Sequence, residues 1–162
     1  MMSRKFLRFA TPCAALAFAL GAPACGGEKD VEFKLVAPDT DQTNLDGGKK
    51  GTSQGDQFVF SGPLNKEDGT NVGRIDGLCS LTSTPKNRQQ VRRQCVVTTT
   101  IKKKSLEGRL GEIYTQGVGR VPAEDVILGV TGGNDDFQKA RGQATFDYRQ
   151  KDRVVISYDL KL

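Results

Sequence analysis

Two stretches decide the fold: VGRIDGLCSLT (Val72–Thr82) and RRQCVVTTTI (Arg92–Ile101). In the first, Gly73, Ile75, Gly77, Cys79 and Leu81 alternate with Arg74, Asp76, Ser80 and Thr82. In the second, Cys95, Val97, Thr99 and Ile101 share one parity. Strict alternation is the pattern of a strand with one buried face. Between them, Pro85-Lys86-Asn87-Arg88 reads as a turn. A hairpin mirrored about Asn87 sets residue 79 directly against residue 95, and opposed cysteines of one parity are close enough to bridge.

The same period runs outward from this hairpin. Val31–Ala37 is a short apolar strand, and Pro38–Gln54 reads as a polar loop. In Asp56–Leu64, Phe58, Phe60 and Leu64 share a parity, while Gly62-Pro63 marks an edge or a bulge. Lys66-Glu67-Asp68-Gly69 is a hairpin loop, since Asp-Gly is a strong short turn signal. Gly108–Val118 and Asp125–Thr131 are further strands. In Phe137–Tyr148, one face carries Ala140, Gly142, Ala144, Phe146 and Tyr148; a last strand alternates Val154, Ile156, Tyr158, Leu160 and Leu162. No convincing helical period follows the first 25 residues. About eight short strands with frequent glycine turns predict an all-β chain, a single eight-stranded antiparallel β-barrel over residues 31–162.

Residues 1–25 are of a different kind. Arg4, Lys5 and Arg8 precede an apolar run, Thr11–Leu20, and then small residues, Gly21-Ala22-Pro23-Ala24-Cys25. A basic start, an apolar stretch of about 7–15 residues and a small-residue cleavage site make an export signal. The run is too short to span a bilayer, which takes about 20 residues. Two processing routes stay open. Ala22-Pro23-Ala24 is an A-x-A site, and Ala24-Cys25-Gly26 is similar to a bacterial lipobox, with Ala22 where leucine is usual. A cysteine directly after the apolar run favours the lipoprotein route, with Cys25 acylated, residues 26–30 as a tether and a membrane surface as partner. The expected location is the cell envelope, or otherwise the periplasm or medium.

This division changes what the composition means. The 162 residues hold 24 Lys+Arg, 19 Asp+Glu and no histidine, for a net charge of +5. Three of those positive charges belong to the leader, so the nucleic-acid reading loses its main support. The basic runs Lys86–Arg93 and Lys102-Lys103-Lys104 have little aromatic interleaving, and surface lysines often protect sheet edges. Without histidine there is no His-based triad or metal site. No C-x-x-C occurs, so zinc and thioredoxin-type readings lack their spacing. Neither metal nor cofactor is expected. In an oxidising compartment Cys79 and Cys95 read as a disulfide; the alternative is a reactive Cys79 thiol.

Three stretches in order resemble the allene oxide cyclase and dirigent superfamily of eight-stranded barrels. Gly55-Asp56-Gln57-Phe58-Val59-Phe60 with Pro63-Leu64 is similar to its opening "GDxxxF…L" strand. Val72–Cys79 is similar to the cyclases' "xGITAGxC". Ile127–Gly142, ILGVTGGNDDFQKARG, is similar to "LAVTGGTGxFxxARG", with Gly132, Gly133, Phe137, Ala140, Arg141 and Gly142 in place. The resemblance implies a barrel and a dimer or trimer. It also places Ala37 where plant cyclases carry a glutamate and Gly62 where they carry a pocket asparagine. Cys79 matches a pocket cysteine but faces Cys95. Classical allene oxide cyclase activity is therefore not expected.

With histidine absent, acid–base work falls to Asp, Glu, Tyr or Lys. The resemblance puts Asp56 and Asp136 near a barrel rim, and Asp136 and Arg141 are the nearest matches to dirigent pocket acids and arginines. The bland alternative is a solvated face, since Arg141 shares parity with Lys139, Gln143, Thr145 and Asp147. Phe58, Phe60, Phe146, Tyr148 and Tyr158 form either a filled core or the wall of a ligand pocket, because eight strands enclose space barely wider than their side chains. The small residues Gly73, Gly77, Ala140, Gly142 and Ala144 favour unfilled volume. The expectation is a barrel that binds a small apolar ligand and guides its cyclisation or coupling. The alternative is a non-enzymatic envelope protein with a filled barrel.

Overall fold

The computed structural model of the chain describes residues 28–38, 40–83 and 91–162. The leader, Cys25 and the turn at Pro85–Arg88 lie outside them. Among the described residues nine strands form one sheet: β1 (Asp30–Ala37), β2 (Asp41–Leu45), β3 (Gln57–Asn65), β4 (Asn71–Ser83), β5 (Val91–Leu106), β6 (Arg109–Val121), β7 (Asp125–Gly133), β8 (Arg141–Asp147) and β9 (Val154–Lys161). Their order is β1-β9-β8-β7-β6-β5-β4-β3-β2, every pair is antiparallel, and Val36 opposite Asn65 closes the circle between β1 and β3. Eight strands thus make the expected barrel, and β2 is an addition inside the stretch expected to be loop. All five of its residues are exposed, so no hydrophobic alternation marks it.

Proline explains where the seam falls. On one side β3 pairs β2 through Phe58–Ser61 and Gln57, and pairs β1 only at Asn65. Pro63 lies in the gap between those two partners, where its missing N–H breaks no ladder bond. On its other side β3 runs along β4, with Phe58 opposite Cys79 and Phe60 opposite Gly77.

The β4–β5 register follows the mirror about Asn87: Gly73 opposes Ile101, Ile75 opposes Thr99 and Cys79 opposes Cys95. The two cysteines are disulfide-bonded, with Cα atoms 4.0 Å apart. The Lys66–Gly69 loop forms as expected. Gly69 takes φ +86°, and the Asp68 carboxylate accepts the Thr70 N–H at 2.8 Å.

One expected strand is shorter than its alternation suggests. Phe137 belongs not to β8 but to a 3-10 turn, Asp135–Phe137, and its ring is fully buried there. Alternate connections of an antiparallel meander lie at the same end. The end holding the β3–β4 and β5–β6 hairpins and this 3-10 turn is packed solid with Leu64, Val72, Ile101, Ile113, Phe137 and Ala140. The other end is different.

Candidate functional site

At the end where β6 turns into β7, the barrel interior opens into a cavity of about 360 Å³. Phe58 and Phe60 of β3 form one wall, and Val126, Leu128, Phe146 and Tyr148 form the facing one. The Cys79–Cys95 disulfide lies between them, and Arg120–Ala123 edges the mouth around a cis Val121–Pro122 peptide. The volume is at the lower end of the roughly 300–1,000 Å³ of small-molecule pockets, and the lining is mostly apolar, as such pockets are.

Of the five aromatics expected on one wall, Phe58, Phe60, Phe146 and Tyr148 do line this cavity. Tyr158 does not. It is 2% exposed, its ring stacks on Phe33 at 4.8 Å between centroids, and its hydroxyl meets Thr99 Oγ1 at 2.5 Å. Burial pushes its phenol pKa up, against the Thr99 hydrogen bond. Core and pocket are therefore both present, at different heights of one barrel.

The small residues do not make the cavity. A Cβ on Gly73 would fall 1.8 Å from Thr100 O, and one on Gly142, at φ +130°, would fall 2.0 Å from Asp159 O. These glycines admit neighbouring backbone rather than a ligand. Gly77 admits the Phe60 ring, 2.1 Å from its absent Cβ. Ala140 and Ala144 are in the packed core.

None of the three candidate acid–base residues lines the cavity. Asp56 braces the loop before β3. It accepts the Ser53 N–H at 2.7 Å, Ser53 Oγ at 3.1 Å and the Gly47 N–H at 3.2 Å, and the Ser53 amide above all lowers its pKa. Asp136 accepts the Leu110 N–H at 2.9 Å at the packed end. Arg141 is exposed there and donates to Ala140 O at 2.8 Å and Lys139 O at 3.2 Å. Neighbouring Asn134 holds the same corner, accepting the Glu112 N–H at 2.6 Å and donating to Glu112 Oε2 at 3.0 Å.

Sequence reasoning passed over Arg93. It lies two residues before Cys95 on the same inward parity, opposite Gly119, and its side chain enters the cavity. The guanidinium carbon stands 5.6 Å from the Phe58 ring centroid, within cation–π range. Its Nε–H is buried and has no hydrogen-bond partner among the described residues. The sequence signal was an arginine on the parity of Cys95, Val97 and Thr99, hidden inside a run read as surface charge. Nearby, Tyr148 stands half-exposed at the cavity, with its phenol pKa raised by partial desolvation and the Arg93 charge acting against that shift.

The sequence matches no protein-family model and no curated protein. Solved structures do match. A pyocyanin demethylase is 23% identical, with a TM-score of 0.67 over 80% of this chain and 99% of that one. A pterocarpan synthase dirigent protein is 15% identical, with a TM-score of 0.62 over 89% of this chain and 97% of that one. A Diels–Alderase from Streptomyces koyangensis is 10% identical, with a TM-score of 0.61 over 85% of this chain and 70% of that one. The barrel is that of the dirigent proteins and cyclase barrels, as the three stretches implied.

Proposed function

We propose that this barrel, of the dirigent and cyclase fold, is an exported envelope protein that binds a small, mainly apolar molecule and guides its cyclisation or coupling by shape. One observation carries the reading: an apolar cavity walled by Phe58, Phe60, Phe146 and Tyr148 at one end of a barrel packed solid at the other. A fold does not fix a reaction. The neighbours' own names, demethylase, pterocarpan synthase and Diels–Alderase, illustrate this.

The described lining holds no Asp, Glu or Lys, which leaves the Tyr148 phenol as its proton-transfer group. That favours chemistry driven by holding a flexible substrate in one reactive shape, where orientation alone supplies much of the rate. The experiment is native mass spectrometry of the protein purified from its own cells. A small apolar molecule is expected to co-purify with the wild-type chain and to be depleted from Gly119→Leu, whose side chain takes up cavity space beside Val126. Equal recovery from both, or none from either, overturns the reading.

Export and anchoring rest on residues 1–25. The anchor predicts that Cys25→Ser moves the protein from the membrane to the soluble fraction; unchanged partition on ultracentrifugation refutes it. The barrel is also proposed to self-associate. Val59, Leu78, Val96, Val118 and Ile127 are exposed apolar side chains on neighbouring strands, which supports contact with a second copy.

A further inference from the structure

We infer that the cavity selects ligands carrying a carboxylate, held by Arg93. The inference rests on the cavity being a binding site, and adds the chemical class that it takes. Three observations carry it.

The first is the unpartnered donor. A buried N–H without a partner costs about 1–3 kcal/mol, more on a charged group, so such groups are rare in native proteins. Arg93 Nε is the one such side-chain atom among the described residues. The second is charge. Arg93 and Arg120 both line the cavity, and among the described residues no carboxylate does so and Arg93 makes no ion pair. The third is orientation. The Phe58 ring stands against the guanidinium, and Gly119, opposite Arg93, adds no side chain beside it.

A guanidinium offers a planar fork of donors that matches the two oxygens of a carboxylate, which a neutral hydroxyl or ether cannot use as well. The Nη–H groups would take those oxygens, while the apolar body of the ligand lies along Phe60, Phe146 and Leu128. Desolvation by the same walls strengthens the pairing.

The test uses the full-length protein and three matched pairs of probes: benzoate, 2-naphthoate and anthracene-9-carboxylate, each beside its methyl ester. Isothermal titration at pH 7.5 is expected to show at least one acid binding about tenfold or more tighter than its ester. Arg93→Gln should abolish that preference by weakening each acid far more than its ester, and Arg93→Lys should restore part of it. If Arg93→Gln melts early, the wild-type comparison still tests the carboxylate preference, and Arg93→Met, which keeps the aliphatic stem without the charge, tests the residue. Esters binding as tightly as acids would overturn the Arg93 assignment and leave the binding cavity standing. No binding by any of the six would overturn both.

Discussion

Glu107 occupies a position that suits it poorly. It sits at φ +48° beside Gly108 at φ +79°, the two central residues of the β5–β6 hairpin. That pair of positive φ values is the turn that favours Asn-Gly, and a residue with a Cβ in the left-handed region costs about 1–2 kcal/mol. The Glu107–Arg109 ion pair at 2.9 Å is exposed on the glutamate side, so losing it matters little. Glu107→Asn is expected to raise the melting temperature by about 2–6 °C, corresponding to about 1 kcal/mol. A scanning calorimetry trace that is unchanged or lowered rules this out. Deeper in the barrel, Thr99 and Tyr158 share a hydrogen bond shut away from bulk solvent, both residues being at most 2% exposed. Thr99→Val strands the phenol and should cost about 1–3 kcal/mol in urea unfolding, whereas Thr99→Val with Tyr158→Phe should recover much of it. Simple additivity of the two single costs would show that the bond is not the coupling.

At the scale of elements, glycine is where reading from sequence succeeds and fails. The hairpin of β4 and β5 was legible because alternation, a turn and two cysteines all point to one register. The place of the cavity was not. A glycine on an inward parity signals missing volume, but the fold decides whether a backbone, a ring or a ligand occupies it. Gly73 and Gly142 are filled by the backbone of the next strand, and Gly77 by the Phe60 ring. β2 was illegible for another reason: its five residues are all exposed, so no buried face marks the strand, and only its pairing with β3 defines it. Arg93 could have been read, since parity places it beside Cys95, but its basic neighbours masked it. Gly77 allows a test at this scale. A methyl group there meets Phe60 Cζ at 2.1 Å, so Gly77→Ala must turn the ring out of its seat against β4. The expected result is a destabilisation of about 1–3 kcal/mol, the usual cost of overpacking. The displaced ring should also weaken binding of the tightest naphthalene or anthracene probe severalfold. Unchanged melting and unchanged affinity together would mean that Phe60 has another resting place.

For the whole molecule, the outer surface is as informative as the interior. Val59 opposes Leu78 and Leu78 opposes Val96, so one row of exposed apolar side chains crosses β3, β4 and β5. On β6 and β7, Gln116 opposes Gly129, and Val118 and Ile127 lie two positions further along that pair. Val96 in turn opposes Gln116, so the band steps diagonally to Val118 and Ile127 to continue across five strands, with Val96 51% and Ile127 57% exposed. Isolated apolar residues on a surface are ordinary, but a contiguous band is what monomers avoid. The outer faces of β3–β7 are accordingly the expected seat of a second copy. Such a contact would leave the cavity mouth free, because it lies on the wall of the barrel and not at its end. Sedimentation velocity of the purified chain should show a species larger than a monomer that dissociates on dilution. Val96→Lys with Ile127→Lys should sediment as a monomer while keeping the wild-type melting curve and probe affinity, since both side chains point away from the interior. A wild-type chain that stays monomeric at every concentration would leave this band without a partner of its own kind. A double variant that still associates would place the contact elsewhere on the barrel.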